Sequence, residues 1–90
     1  MKRFVIERDI PAIGKMPPKD LSTAAATSNE ALAKLAPKVQ WEHSYVTADK
    51  TFCIYLADSE DDVIAHSKLS GFPANKITEV TGMIDPTTAK

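Results

Sequence analysis

The side chains best suited to chemistry in this sequence are its two histidines, His43 and His66, together with nearby carboxylates. Imidazole nitrogen is a good ligand for nickel, copper and zinc, and carboxylate oxygens can complete such a site. Glu42 directly precedes His43, and Asp62 lies four residues before His66, on the same face of a predicted helix. These four residues are our candidate ligands for a divalent transition metal such as nickel or zinc. The alternative is structural, with His43 half-buried in a sheet and His66 on the flank of a helix.

The only cysteine, Cys53, lies in the middle of a predicted strand. A nucleophilic thiol needs a base nearby, and alternation along the strands places His43 on the opposite side of the sheet from Cys53. We therefore interpret the thiol as a small buried apolar group. A single cysteine also excludes an intrachain disulfide, so we expect a reducing, cytoplasmic setting.

The stretch Val39–Ala57 organises the elements that position these side chains, because it predicts a β-hairpin. Two runs rich in β-branched and aromatic residues flank a short polar break at 47–50, as strands flank a turn. A turn centred on Ala48-Asp49 sets the register of the two strands. The predicted pairs are Val46 with Thr51, Tyr45 with Phe52, Ser44 with Cys53, His43 with Ile54, Glu42 with Tyr55, and Trp41 with Leu56.

Alternation of side chains divides this hairpin into two faces. The first face carries Trp41, His43, Tyr45, Phe52, Ile54 and Leu56. The second face carries Gln40, Glu42, Ser44, Val46, Thr51, Cys53, Tyr55 and Ala57. We expect the first face to meet the core and the second to be open. With the faces reversed, Trp41, His43 and Tyr45 would line the open face instead, so the residues of a candidate ligand cleft are Trp41, Ser44, Tyr45, Cys53 and Tyr55.

Apolar spacing and capping residues predict the other elements. They are a strand over 3–8, a helix over 18–36, a helix from the Ser59 cap to Ser70, and a strand over 76–84. Small residues in the first helix, Ala24, Ala25 and Ser28, predict close packing on the sheet. The order β-α-β-β-α-β predicts an α+β, ferredoxin-like fold, a four-stranded antiparallel sheet with both helices on one face. We expect a single domain over 1–86 and a flexible tail over 87–90.

Composition limits the classes of partner. Eleven Lys and Arg balance twelve Asp and Glu, and no basic run occurs, which argues against nucleic-acid binding. No apolar stretch approaches membrane-spanning length, so we expect no membrane association. A chain of 90 residues has a thin core, so we expect a second copy to cover the open sheet face in a homodimer resembling the dimeric α/β-barrel assemblies.

Several segments together resemble a known family. They are Trp41 with His43–Thr47, Asp49-Lys50, Cys53–Tyr55, His66 with Gly71–Pro73, Glu79-Val80 and Ile84–Pro86. This pattern is similar to that of a family of small bacterial proteins of unknown function, with members described as nickel-binding dimers of ferredoxin-like fold. The resemblance covers nearly the whole chain, and it implies that fold and divalent-metal binding.

The leading hypothesis is therefore a non-enzymatic, cytoplasmic protein that binds a nickel-like divalent metal for sequestration or sensing, without an organic cofactor. The alternative is a dimeric α/β-barrel protein that binds a small organic molecule in a sheet-face cleft, or a small isomerase-like or monooxygenase-like enzyme.

Overall fold

A computed structural model describes residues 1–89 of the chain. Its strands are β1 (Lys2–Asp9), β2 (Val39–Val46), β3 (Lys50–Ala57) and β4 (Lys76–Val80). Its helices are α1 (Pro18–Leu35) and α2 (Glu60–Ser70), and two short 3-10 turns cover Ile13–Lys15 and Pro86–Thr88. Within residues 1–89, no helix has the length and apolar character needed to cross a membrane.

The four strands form one antiparallel sheet in the order β2-β3-β1-β4. The β2-β3 hairpin lies at one edge, and β1 pairs with both β3 and β4 in the middle of the sheet. With α1 and α2 packed together on one face, this is the ferredoxin-like α+β arrangement, as predicted. The buried core between helices and sheet consists of Phe4, Ile6, Val39, Cys53, Tyr55, Ala57 and Val63.

Local signals at the helix ends explain where the helices begin and stop. Pro18 occupies the first turn of α1, where its missing N–H costs no helical hydrogen bond. Ser59 caps α2 by accepting a hydrogen bond from the backbone N–H of Asp62 at 3.3 Å. Gly71 ends α2 with φ of +79°, a left-handed conformation that glycine adopts without steric cost. Both predicted helices are confirmed within one residue of these ends.

The predicted core face of the hairpin is wrong. Along β3, the buried residues are Thr51, Cys53, Tyr55 and Ala57, whereas Phe52, Ile54 and Leu56 are half-buried on the other side. The buried set lies on the same side as Phe4 and Ile6, which stand opposite Tyr55 and Cys53 in the β1-β3 register. Both faces are apolar enough to serve as a core, so alternation alone did not decide between them. The helix-facing side therefore holds the buried set, and the open face carries the half-buried set.

A β-bulge corrects the predicted register at the start of the hairpin. The pairs from His43 to Val46 are as predicted, but Trp41 stands opposite Tyr55 and Gln40 opposite Leu56. Glu42 is therefore an extra residue on the bulged strand. Trp41 turns toward the helices and packs against the core, while His43 remains on the open face. Strict alternation cannot reveal such an insertion, which explains why the sequence placed Trp41 and His43 on one face.

The last strand is shorter than predicted, because β4 ends at Val80 rather than at Ile84. Val80 stands opposite Arg3, and β1 begins only one residue earlier, at Lys2. The chain beyond Val80 therefore has almost no partner strand left to pair with. Near the end of the described residues, Asp85 caps the 3-10 turn Pro86–Thr88 by accepting a hydrogen bond from the Thr87 N–H at 2.8 Å.

Candidate ligand cavity

A cavity of about 350 Å³ lies between α1 and the helix-facing side of the sheet. This volume falls within the range of roughly 300–1,000 Å³ that is usual for small-molecule sites. Strands β1, β2 and β3 form its floor, α1 forms its roof, and the β1-α1 connector and the segment after α2 close its sides. Its lining consists of Arg8, Asp9, Ile10, Pro11, Ile13, Met16, Leu21, Ala24, Ala25, Ser28, Trp41, Ser44, Val46, Thr51, Cys53, Tyr55, Phe72 and Pro73.

Small side chains on α1 account for the space. We predicted that Ala24, Ala25 and Ser28 would bring the helix close to the sheet, but all three line the cavity instead. Larger residues at the two ends of the helix, Leu21 and Leu35, are half-buried. Short side chains between large ones therefore leave a gap in the roof that no neighbouring side chain fills.

The connector between β1 and α1 is fixed against the β2-β3 turn at one end of the cavity. The Gly14 N–H donates to the Ala48 carbonyl at 3.0 Å, and the Ala12 N–H donates to Asp49 Oδ1 at 2.9 Å. A Cβ atom added at Gly14 would lie only 2.7 Å from the Thr47 carbonyl oxygen, so a side chain there would push the two segments apart. This close approach holds the buried Ile13 in the cavity wall.

Three polar side chains meet where α1, β3 and α2 come together. Ser28 Oγ is hydrogen-bonded to His66 Nε2 at 3.1 Å and lies 3.5 Å from the Tyr55 hydroxyl. The rings of Tyr55 and His66 pack with centroids 5.0 Å apart. Burial raises the pKa of Tyr55, while the Ser28 hydrogen bond and the charge of Arg8 oppose that rise. Tyr55 therefore stays protonated at neutral pH.

Burial and, next, the positive charge of Arg8 lower the pKa of His66 from 6.5 to about 4. Its imidazole is neutral at neutral pH, and the whole side chain is fully buried. We expected a flank position for a structural His66, so the complete burial is a correction. His66 lies three residues after the core residue Val63, and therefore on the same side of α2.

Arg8 is the one charged side chain among the buried polar residues of the described chain, with only 2% of its surface exposed. Its Nη1 donates to Ser67 Oγ at 3.1 Å, in the last turn of α2, and to the Pro73 carbonyl at 2.8 Å, beyond the end of that helix. Its guanidinium carbon lies 5.8 Å from the centre of the Tyr55 ring. Its Nη2 is buried and has no hydrogen-bond partner within residues 1–89, and no carboxylate there pairs with it.

Arg8 was not among the residues that the sequence indicated as functional. It lies in the predicted first strand, two residues beyond Ile6, and therefore on the same face as Phe4 and Ile6. The sequence signal was that the charged Arg8 follows the same alternation along the strand as the two core residues Phe4 and Ile6. That signal could be used only once the core face of the sheet was known.

The residues predicted to form a ligand cleft fall on two sides of the sheet. Trp41, Ser44, Cys53 and Tyr55 all line the cavity. The Trp41 Nε1–H donates to Ser44 Oγ at 2.9 Å, which fixes the indole against the wall. Tyr45 is 61% exposed and lies on the open face beside His43, with ring centroids 5.0 Å apart. The helix-facing cavity thus brings four of the five residues together.

The candidate metal ligands are dispersed. Glu42 accepts a hydrogen bond from Arg3 Nε at 2.7 Å, next to the exposed His43. Asp62 accepts one from Ser59 Oγ at 3.2 Å at the start of α2, and His66 is buried against Ser28. Within residues 1–89, no three His, Cys, Asp or Glu side chains come together as a metal site would require.

Comparisons with known proteins place this fold in a family. A crystal structure of SCO4226 from Streptomyces coelicolor A3(2) is similar to it, with a TM-score of 0.77 and 15% sequence identity. The match covers 91% of this chain and 99% of that one. No match was found among curated proteins. A family model described as "Nickel responsive protein SCO4226-like" matches residues 4–80. The chain therefore belongs to the SCO4226-like family.

Proposed function

We propose that this protein binds a small, largely apolar organic molecule in the cavity between α1 and the sheet, without catalysing a reaction. The observation that carries the proposal is the cavity itself, about 350 Å³ in a chain of 90 residues. Its wall combines many apolar side chains with a few polar ones, among them Ser28, Ser44 and Tyr55. Sites for small molecules have this composition, with polar groups that orient an otherwise apolar ligand.

Filling the cavity is expected to weaken ligand binding. Ala25 lines the cavity roof, whereas its neighbour Ala26 is exposed on the outer side of α1. In calorimetric titrations with octan-1-ol, Ala25→Phe should weaken binding by about tenfold or more, because the ring occupies the ligand's volume. The matched variant Ala26→Phe should bind like the parent protein. Equal affinities of all three proteins for octan-1-ol would contradict the proposal.

We propose that two copies of the chain pair through the open sheet face. The centre of this face is apolar and half-exposed, formed by Val5, Tyr45, Phe52, Ile54 and Leu56. Ion pairs of Arg3 with Glu42, and of Lys50 with Glu7 and Asp9, lie around it. An apolar centre within a polar rim is the usual composition of a protein interface.

Nickel binding is the second candidate function, because the family is described as nickel responsive. His43 is the exposed histidine and lies on the open face, where pairing would bring the His43 side chains of two copies onto one interface. Two copies could supply ligands that one copy does not bring together. Sequestration or sensing would be the corresponding role.

A calorimetric titration of the tag-free protein with Ni²⁺ tests this second candidate. Saturable binding should be lost in His43→Ala and retained in His66→Gln, because His66 is fully buried on the other side of the sheet. The apparent stability of the parent protein should also rise with nickel concentration, since a metal that prefers the folded state stabilises it by mass action. A flat titration of the parent protein would exclude nickel.

A further inference from the structure

We propose that the molecule held in this cavity is an organic acid whose carboxylate pairs with Arg8. This inference rests on the proposed function and adds the chemical class of the ligand. Its basis is a charge without a counter-charge, because Arg8 is 2% exposed and no carboxylate within the described residues forms an ion pair with it.

The contacts of Arg8 position the guanidinium without neutralising it. Nη1 is fixed by the Pro73 carbonyl at 2.8 Å and by Ser67 Oγ at 3.1 Å, and the Tyr55 ring lies below the guanidinium carbon. These partners are neutral dipoles, and the nearby end of α2 contributes only a partial negative charge. An arginine buried in this way is destabilising unless an anion accompanies it.

Nη2 is the donor that remains for a ligand. It is buried and has no partner within residues 1–89, while Arg8 itself lines the cavity. Arginine binds carboxylates through its planar set of N–H donors, and such charge-assisted hydrogen bonds are stronger than neutral ones. Among the residues that line the cavity, Arg8 is the one cation. The apolar wall formed by Ile13, Leu21 and Trp41 would then take the hydrocarbon part of the acid.

A cationic or neutral ligand fits these groups less well. A cation would face the Arg8 charge in a poorly solvated site, and a neutral molecule would leave Nη2 unpaired. The polar hydroxyl groups of Ser28 and Tyr55 already interact with each other and with His66. What the cavity lacks is therefore a negative charge beside Arg8.

Octanoate and octan-1-ol test the inference, because they share an apolar chain and differ in charge. In titrations at pH 7.5, the parent protein should bind octanoate about tenfold or more tighter than octan-1-ol. Arg8→Met should reduce octanoate affinity to the level of octan-1-ol and leave octan-1-ol binding intact, which also shows that the variant is folded. Arg8→Lys, which keeps the charge, should retain part of the preference. Arg3→Met, on the open face of the same strand, is the matched control and should bind both probes like the parent.

The possible outcomes separate the proposed function from the carboxylate inference. Equal affinities of the parent protein for octanoate and octan-1-ol would overturn the carboxylate inference and leave the proposed function standing. A preference for octanoate that persists in Arg8→Met would also overturn it, because a residue other than Arg8 would then recognise the carboxylate. No binding of either probe by the parent would overturn the proposed function and this inference together. Should Arg8→Met fail to fold, the parent comparison and Arg8→Lys still decide.

Discussion

Replacement of Phe4 by alanine is expected to lower the free energy of unfolding by about 3 to 5 kcal/mol. Phe4 is 2% exposed on β1 and belongs to the core cluster between the sheet and the helices. Truncation removes an aromatic ring from contact with its neighbours and leaves a void that close-packed surroundings fill only in part. Chemical denaturation monitored by circular dichroism gives the change as a shift of the transition midpoint.

Phe52→Ala is the matched control for Phe4→Ala, and the pair of variants tests which side of the sheet is the core. Phe52 is half-buried on the open face, with Lys50 Nζ 5.8 Å from its ring centre. At low protein concentration its truncation should lower the free energy of unfolding by about 1 kcal/mol, as for a partly exposed side chain. If two copies pair through the open face, this cost should grow with protein concentration. A larger loss for Phe52→Ala than for Phe4→Ala in dilute protein would contradict the core described here.

Acidification from pH 7 to pH 4 is expected to remove about 3 kcal/mol of stability through His66 alone, since one pKa unit corresponds to about 1.4 kcal/mol. The pKa of His66 is about 4 in the folded protein, against 6.5 for an ordinary histidine. The unfolded chain therefore takes up this proton first, and protonation favours unfolding. The loss begins as the pH falls through 6.5 and continues until the pH falls below 4. After burial, the positive charge of Arg8 on β1 lowers the pKa of His66 further, and a hydrogen bond with Ser28 on α1 opposes the shift.

Carboxylates also titrate in this range, so the measurement is a difference between proteins. Urea unfolding is followed from pH 7 to pH 4 for the parent protein and for His66→Gln, whose amide can still bond to Ser28. The variant should lack the His66 contribution and show a shallower loss of stability. His43→Gln, at the exposed histidine, should retain the parent profile. Identical profiles for the parent and His66→Gln would show that the buried imidazole does not control acid stability.

The fold was predictable from sequence because its signals are local. Pro18 and Gly71 mark helix ends by their backbone geometry, and Ser59 marks one by its side-chain hydrogen bond. Two apolar strands around a four-residue polar break specified the hairpin, and the observed pairs from His43 to Val46 follow from that turn. Element order then limited the topology to very few arrangements.

The candidate site was not predictable in the same way, because it depends on distances between elements. Whether Ala24 and Ala25 bring a helix onto a sheet or leave a cavity is decided by the larger residues around them, which the chain places only after folding. The choice of core face also failed, since both faces of β3 carry apolar residues. Arg8 could be recognised as unusual only after that choice was made correctly.

The bulge at Glu42 has a practical consequence for optical measurements. Trp41 is the only tryptophan in the sequence, and the inserted residue turns its indole into the cavity wall rather than onto the open face. Indole fluorescence shifts to shorter wavelength when apolar atoms replace water around the ring. The emission wavelength of the unlabelled protein thus reports on ligand binding in the cavity. Binding confined to the opposite side of the sheet leaves that wavelength unchanged.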